Sequence, residues 1–197
     1  MTFKLGLTGS IGMGKSTTAQ MFADAGCAIW DADAAVHRLY AKSGAAVGPM
    51  SQVFPDAIQD QAVSRDRLKE VIAKDPAALR QIEAIVHPLV ALDRARFLEK
   101  TTARITILDM PLLFETGADN WMDAVVCVST SPEVQRRRVL DRGTMSEAQL
   151  DAILAKQMPD AEKRARADYV ILTDTLEHAR QQVQDVLADI EDKIGDA

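Results

Sequence analysis

The sequence predicts an α/β protein with a doubly wound parallel sheet of about five strands. Short apolar runs alternate with helical patterns along the chain, and a glycine-rich turn joins the first strand to the first helix. Two mostly helical stretches interrupt the alternation without ending it, so they read as insertions into one sheet.

Taken in order, Phe3 to Leu7 reads as a strand, Lys15 to Asp24 as a helix closed by Gly26, and Cys27 to Trp30 as a second strand. Residues 32–103 carry no strand-like run. Within them Asp75 and Pro76 offer an N-cap and a proline at the first helical position, and His87-Pro88 is expected to end one helix before another runs to Lys100. Strand character returns at Ile105 to Leu108, ending at Asp109, and again at Ala124 to Val128, where Ser131-Pro132-Glu133 starts a helix. Residues 133–166 are charged and helical, broken at Arg142-Gly143-Thr144 and restarted by a capping box from Ser146 to Gln149. Tyr169 to Leu172 reads as the last strand, followed by a helix from about Thr175 to Lys193. The expected division is a core of 1–31, 104–134 and 167–197, a helical insertion of 32–103, and a smaller one of 135–166.

With 197 residues the chain buries a core without disulfides or structural metal. Its 29 acidic against 23 basic side chains give a net charge of −6, which repels polyanions and argues against nucleic acid as a partner. The two cysteines, Cys27 and Cys127, lie in apolar segments and read as small buried hydrophobes. No window approaches about 18 consecutive apolar residues, and the first residues lack a secretory pattern, so a soluble cytoplasmic protein with no membrane partner is expected.

The chemistry starts in the stretch GLTGSIGMGKSTTAQMF, residues 6–22. Gly9, Gly14, Lys15 and Ser16 match G-x-x-x-x-G-K-[ST], after a predicted strand and at a predicted helix start, as a phosphate-binding P-loop requires. Candidate nucleotide contacts are Gly9, Ile11, Gly12, Met13, Gly14, Lys15, Ser16 and Thr17, through backbone N–H groups and the helix N-terminus. Lys15 is placed to bridge the β- and γ-phosphates of a nucleoside triphosphate, and Ser16 to ligate Mg²⁺. The rival is a dinucleotide site, which would use Asp31 at the end of the second strand for a ribose.

Asp31 and Asp33 follow that strand, where a carboxylate can take the proton of an attacking hydroxyl. Either can instead cap the next helix; Asp33 is the catalytic candidate, and for Asp31 the two roles are evenly matched. Asp109 has the pattern of a strand-end carboxylate holding Mg²⁺, or simply ends its strand. Leu112 and Leu113 after Pro111 form either an apolar wall for an acceptor or core. Arg138 and Arg142, four apart, share a helix face suited to phosphate oxygens, whereas Arg136 and Arg137 read as a solvated basic face. His37, His87 and His178 have no metal-ligand spacing.

Together these residues resemble the dephospho-CoA kinase family. The likeness runs through LTGSIGMGKST, DAD with His37 after it, HPLV, DMPLLFETG, the spacing of Gln135, Arg138 and Arg142, Gln157, and ADYVI. The resemblance implies a P-loop core, a helical CoA-binding domain and a small lid. It implies ATP as donor, Mg²⁺, and dephospho-CoA as acceptor, phosphorylated at its ribose 3′-hydroxyl. Asp33 would be the base, Lys15 and Arg138 would stabilise the transferring group, and Arg142 would belong to the lid. His87, Pro88, Leu112, Leu113 and Glu115 would contact the acceptor. Where many relatives carry asparagine and glycine near the adenine, this chain reads Leu172-Thr173-Asp174-Thr175. The alternatives are a P-loop kinase for another small acceptor such as a nucleoside monophosphate, and a GTP-driven switch, for which the guanine-reading N-K-x-D is absent.

Overall fold

The computed structural model describes residues 2–195. In chain order the elements are β1 (Phe3–Thr8), α1 (Lys15–Asp24), β2 (Ala28–Asp31), α2 (Ala32–Tyr40), α3 (Val47–Val53), β3 (Ile58–Gln59), β4 (Ala62–Val63), α4 (Arg65–Lys74) and α5 (Ala78–Lys100). They continue as β5 (Ile105–Asp109), β6 (Ala124–Ser129), α6 (Pro132–Asp141), α7 (Glu147–Leu154), α8 (Asp160–Arg166), β7 (Tyr169–Leu172) and α9 (Leu176–Gly195).

The main sheet has five strands in the order β2-β5-β1-β6-β7. β1 is central and pairs in parallel with β5 (Leu7 opposite Asp109) and with β6 (Thr8 opposite Cys127), and β6 pairs in parallel with β7. Because parallel strands end together, Thr8, Asp109 and Ser129 arrive at the same edge, where α/β sheets hold their ligands. One face of the sheet is covered by α1 and α9, whose Phe22, Val183 and Ile190 pack on Leu5, Leu7 and Val126. A second cluster gathers Leu113, Phe114, Ala118 and Val125. β1, β5 and β6 read as near-continuous apolar runs because both their faces are covered.

The chain divides into two compact units, residues 2–29 with 101–195, and Trp30–Lys100. The 135–166 segment stays within the first unit. The second is built by α2 to α5 around Leu39, Met50, Leu68, Ile82 and Val86. Trp30 is buried there, and its Nε1 donates to Asp93 Oδ1 at 2.8 Å; Arg38 donates to the same oxygen at 2.6 Å.

The second unit departs from expectation in three places. It contains an antiparallel hairpin, Ile58 opposite Val63 and Gln59 opposite Ala62, where no strand was expected. Its turn uses Asp60 and Gln61, both at positive φ, which suits a two-residue hairpin but lacks the Asn-Gly signature. Helix α5 runs unbroken through Pro88. Proline removes the hydrogen bond to Ala84, yet both residues are exposed, so the carbonyl is open to solvent, and the packing of Ile82 and Val86 holds the helix together. Asp75 ends α4 and accepts from Ala77 N in the turn that leads into α5, so Pro76 sits in that turn rather than in the helix.

Both thiols are held in the protonated form: burial, with Asp160 nearby, pushes Cys127 up to about 12, and burial, with Glu191 nearby, pushes the half-buried Cys27 up to about 11. Among the described residues no helix is long and apolar enough to cross a membrane.

Candidate active site

The loop between β1 and α1 is shaped by its glycines. Gly14 at φ +95° is the N-cap of α1, with no side chain capping it and no acidic residue in the first turn, so the first N–H groups of the helix face outward without a built-in acceptor. Gly12 at φ +77° lets the loop approach α6 so closely that a Cβ would lie 2.5 Å from Val139 Cγ2. Gln135, buried on the same helix, donates from Nε2 to Ile11 O at 2.7 Å. The loop is therefore clamped on its outer side by α6. Met13 is buried as well, and its sulfur accepts from Thr130 N at 3.2 Å.

Lys15 Nζ donates to Asp109 Oδ1, an ion pair whose side chains are 16% and 3% exposed. Ser16 and Thr17, in the first turn of α1, are exposed. Arg138 lies across the carboxyl end of β7: Nη1 donates to Thr173 Oγ1 at 2.9 Å and Nη2 to Thr173 O. Arg142 is exposed, and with Arg138, Thr17, Met21, Thr173 and Leu176 it lines a cavity of about 230 Å³. That volume is below the ~300 Å³ of pockets that enclose whole drug-sized ligands, and suits a single ring system.

The second unit carries the other candidates. Asp31 is the N-cap of α2 and accepts from Ala34 N at 2.9 Å, so it takes the capping role. Asp33, in the first turn of that helix, is exposed, and its carboxylate has no hydrogen bond or ion pair among the described residues. His37, His87 and Pro88 are exposed on α2 and α5.

Two acceptor candidates have structural duties. Leu113 is fully enclosed with Phe114 and Val125, so of the wall-or-core alternatives it takes the core, whereas Leu112 is 45% exposed. Glu115 Oε1 accepts from Lys163 Nζ and from Met158 N, both at 2.9 Å. Lys163 is completely buried and donates also to Pro111 O at 2.9 Å, a carbonyl shared with Thr8 Oγ1 at 3.1 Å. Sequence reasoning missed this lysine because α8 is charged throughout; the available signal was its i,i+3 spacing from Asp160, which binds Ser129 Oγ at 2.8 Å from the same helix. Arg136 lies on a solvated face as expected, its side chain 41% exposed, and from there it ties α6 to α7 through Glu147 at 2.7 Å and Asp151 at 2.8 Å.

Desolvation alone would raise the pKa of Glu115, but the hydrogen bonds from Lys163 and Met158 N win and hold it below its ordinary value of 4.5. The folded state thus favours the charged carboxylate. Its stabilisation is complete above about pH 4.5 and is lost as pH falls through the lower folded value. Urea unfolding of wild type and Glu115→Gln should show a stability gap that is constant near neutral pH and closes in acid. A gap that widened in acid would contradict the assignment. Lys163→Met leaves Glu115 and Pro111 O facing an apolar chain and is expected to cost about 3 kcal/mol in the same assay at neutral pH.

Comparison with known proteins follows the same lines. The family model described as dephospho-CoA kinase matches residues 3–178. A dephospho-CoA kinase of Ruegeria pomeroyi is 68% identical over 190 residues, covering 96% of each chain. A solved Thermus thermophilus structure superposes with a TM-score of 0.86 at 31% identity, over 95% of this chain and 97% of that one. The fold alone is shared with a solved dephospho-CoA kinase from Campylobacter jejuni, at a TM-score of 0.71 and 24% identity over 96% and 98% of the two chains. A sheet that brings a P-loop and a strand-end aspartate to one end, beside Arg138 on α6 and Arg142 at that helix's C-cap, matched along nearly its whole sequence, is explained by descent: the chain belongs to the dephospho-CoA kinase family.

Proposed function

We propose that this protein transfers the γ-phosphoryl group of ATP to the ribose 3′-hydroxyl of dephospho-CoA, giving coenzyme A and ADP. The observation that carries this reading is the 68% identity to a dephospho-CoA kinase across 96% of both chains, which spans the P-loop and the helical unit alike. In this reading the loop from Gly9 to Thr17 holds the phosphates, and the 230 Å³ cavity beside Thr173 takes the base, with Arg142 over it. Residues 135–166 serve as the lid and the helical insertion of 32–103 binds the acceptor; His87 and Pro88 from that insertion, and Leu112 from outside it, are acceptor contacts.

The chemistry is an in-line displacement. Asp33 orients the 3′-hydroxyl and takes its proton as the new P–O bond forms and the bond from the γ-phosphorus to the β,γ-bridging oxygen breaks. Lys15 and Arg138 balance the charge on the transferring group. Asp109 and the Ser16 hydroxyl are hard oxygen donors suited to Mg²⁺. When bound, Mg²⁺ supplies charge neutralisation at the phosphate oxygens.

The test is ADP release by purified protein with ATP and Mg²⁺, with and without dephospho-CoA, and the product's mass. Release that depends on dephospho-CoA, with one added phosphate, is expected. ATP binding without such stimulation would overturn the acceptor.

A further inference from the structure

Thr173 follows β7, is 7% exposed, and has its backbone N–H on Ser129 O at 2.9 Å. Its hydroxyl donates to Met13 O at 2.7 Å and accepts from Arg138 Nη1 at 2.9 Å, while its carbonyl accepts from Arg138 Nη2. Its side chain also occupies the space a Cβ on Gly14 would need, at 3.1 to 3.3 Å. One residue thereby touches the phosphate loop at two points and the guanidinium at two more.

A hydroxyl has one hydrogen to give and two lone pairs to accept with, and here both capacities are used, in opposite directions. Arg138 carries five N–H donors in a rigid plane. Two donors engaged on one residue, one at the hydroxyl and one at the carbonyl, fix both the position and the tilt of that plane and leave the other donors for a ligand. The far end of the chain of bonds is the carbonyl of Met13, inside the loop.

We propose that Thr173 is a positioning residue for phosphoryl transfer: its hydroxyl registers the Arg138 guanidinium against the P-loop before the nucleotide arrives. This rests on the reading of Arg138 as a phosphate-stabilising group. Thr173 acts through Arg138 and Met13, so its loss affects the reacting geometry more than nucleotide affinity. Small misplacements of such groups are costly, on the order of 10²-fold for about 1 Å.

The experiment compares Thr173→Ser, Thr173→Ala and Thr173→Val in ATP-dependent phosphorylation of dephospho-CoA, with Arg138→Ala alongside. Thermal unfolding and ADP binding confirm that each variant is folded. Thr173→Val keeps the volume and loses both hydrogen bonds of the hydroxyl; its kcat should fall by about tenfold with KM for ATP within about twofold of wild type. Thr173→Ser should recover kcat to within about twofold. Should the valine variant not fold, alanine against serine gives the same comparison, since they differ by the hydroxyl alone. Unchanged kcat without the hydroxyl, or serine as impaired as alanine, overturns the proposal while an inactive Arg138→Ala keeps the reading of Arg138. Full activity of Arg138→Ala overturns that reading, and this proposal with it.

Discussion

Asp33→Asn is expected to lower kcat by about 10³-fold while ATP affinity stays within about twofold of wild type. Asparagine keeps the shape of the carboxylate but cannot take the proton of the acceptor hydroxyl at neutral pH, and general-base contributions of ~10² to 10⁴ are usual. The fold gives this variant an unusually clean readout. Asp31, not Asp33, caps α2, and Asp33 is exposed, so the substitution should leave the thermal midpoint unchanged. Steady-state kinetics with dephospho-CoA and ADP binding by calorimetry check both halves. Near wild-type turnover would remove Asp33 from the mechanism and return the search to the exposed polar residues of α2 and α5.

Lys15→Met should differ in kind, losing stability and nucleotide affinity as well as turnover. Lys15 is paired with Asp109, whose side chain is 3% exposed, so the methionine removes a cation from beside a buried carboxylate as well as from the phosphate site. A fall of ~10³-fold in kcat/KM for ATP is expected, with weaker nucleotide binding and a stability loss of about 3 kcal/mol at neutral pH. The double variant Lys15→Met with Asp109→Asn should regain much of that stability and none of the turnover. Denaturant titration beside the kinetic assay separates the two effects; recovery of turnover in the double variant would show that Lys15 serves only to neutralise Asp109.

The P-loop, the strand ends and the capping box at Ser146 were readable from sequence because each is set by local chemistry: a glycine where φ must be positive, a hydroxyl where N–H groups lack partners, an apolar run where both sheet faces are covered. What escaped depends on partners distant in sequence. Lys163 is a surface residue by composition, and only the convergence of Glu115 and Pro111 O gives it a buried place. Gln135 and Thr173 were visible as letters in a pattern, but their partners, Ile11 O and Met13 O, are backbone atoms more than a hundred residues away. The helix through Pro88 was misread for a related reason: the local cost of proline, about 3 kcal/mol, is a sequence property, while the packing that outweighs it is not. The short hairpin escaped because two residues per strand give no periodicity to detect.

The condition of the two thiols has a practical consequence for watching the molecule at work. With Cys127 near 12 and Cys27 near 11, fewer than about one in a thousand of either is thiolate at neutral pH. Maleimide dyes are therefore expected to label the native thiols far more slowly than an exposed introduced cysteine, so that the wild-type background serves as a cysteine-light scaffold, which mass spectrometry of the dye-treated wild type checks. A cysteine introduced at exposed Lys69 on α4 and another at exposed Gln181 on α9 would carry a donor and acceptor fluorophore, one on each compact unit. Energy transfer between them, followed in single molecules as ATP and dephospho-CoA are added, would read the separation of the two units directly through a catalytic cycle.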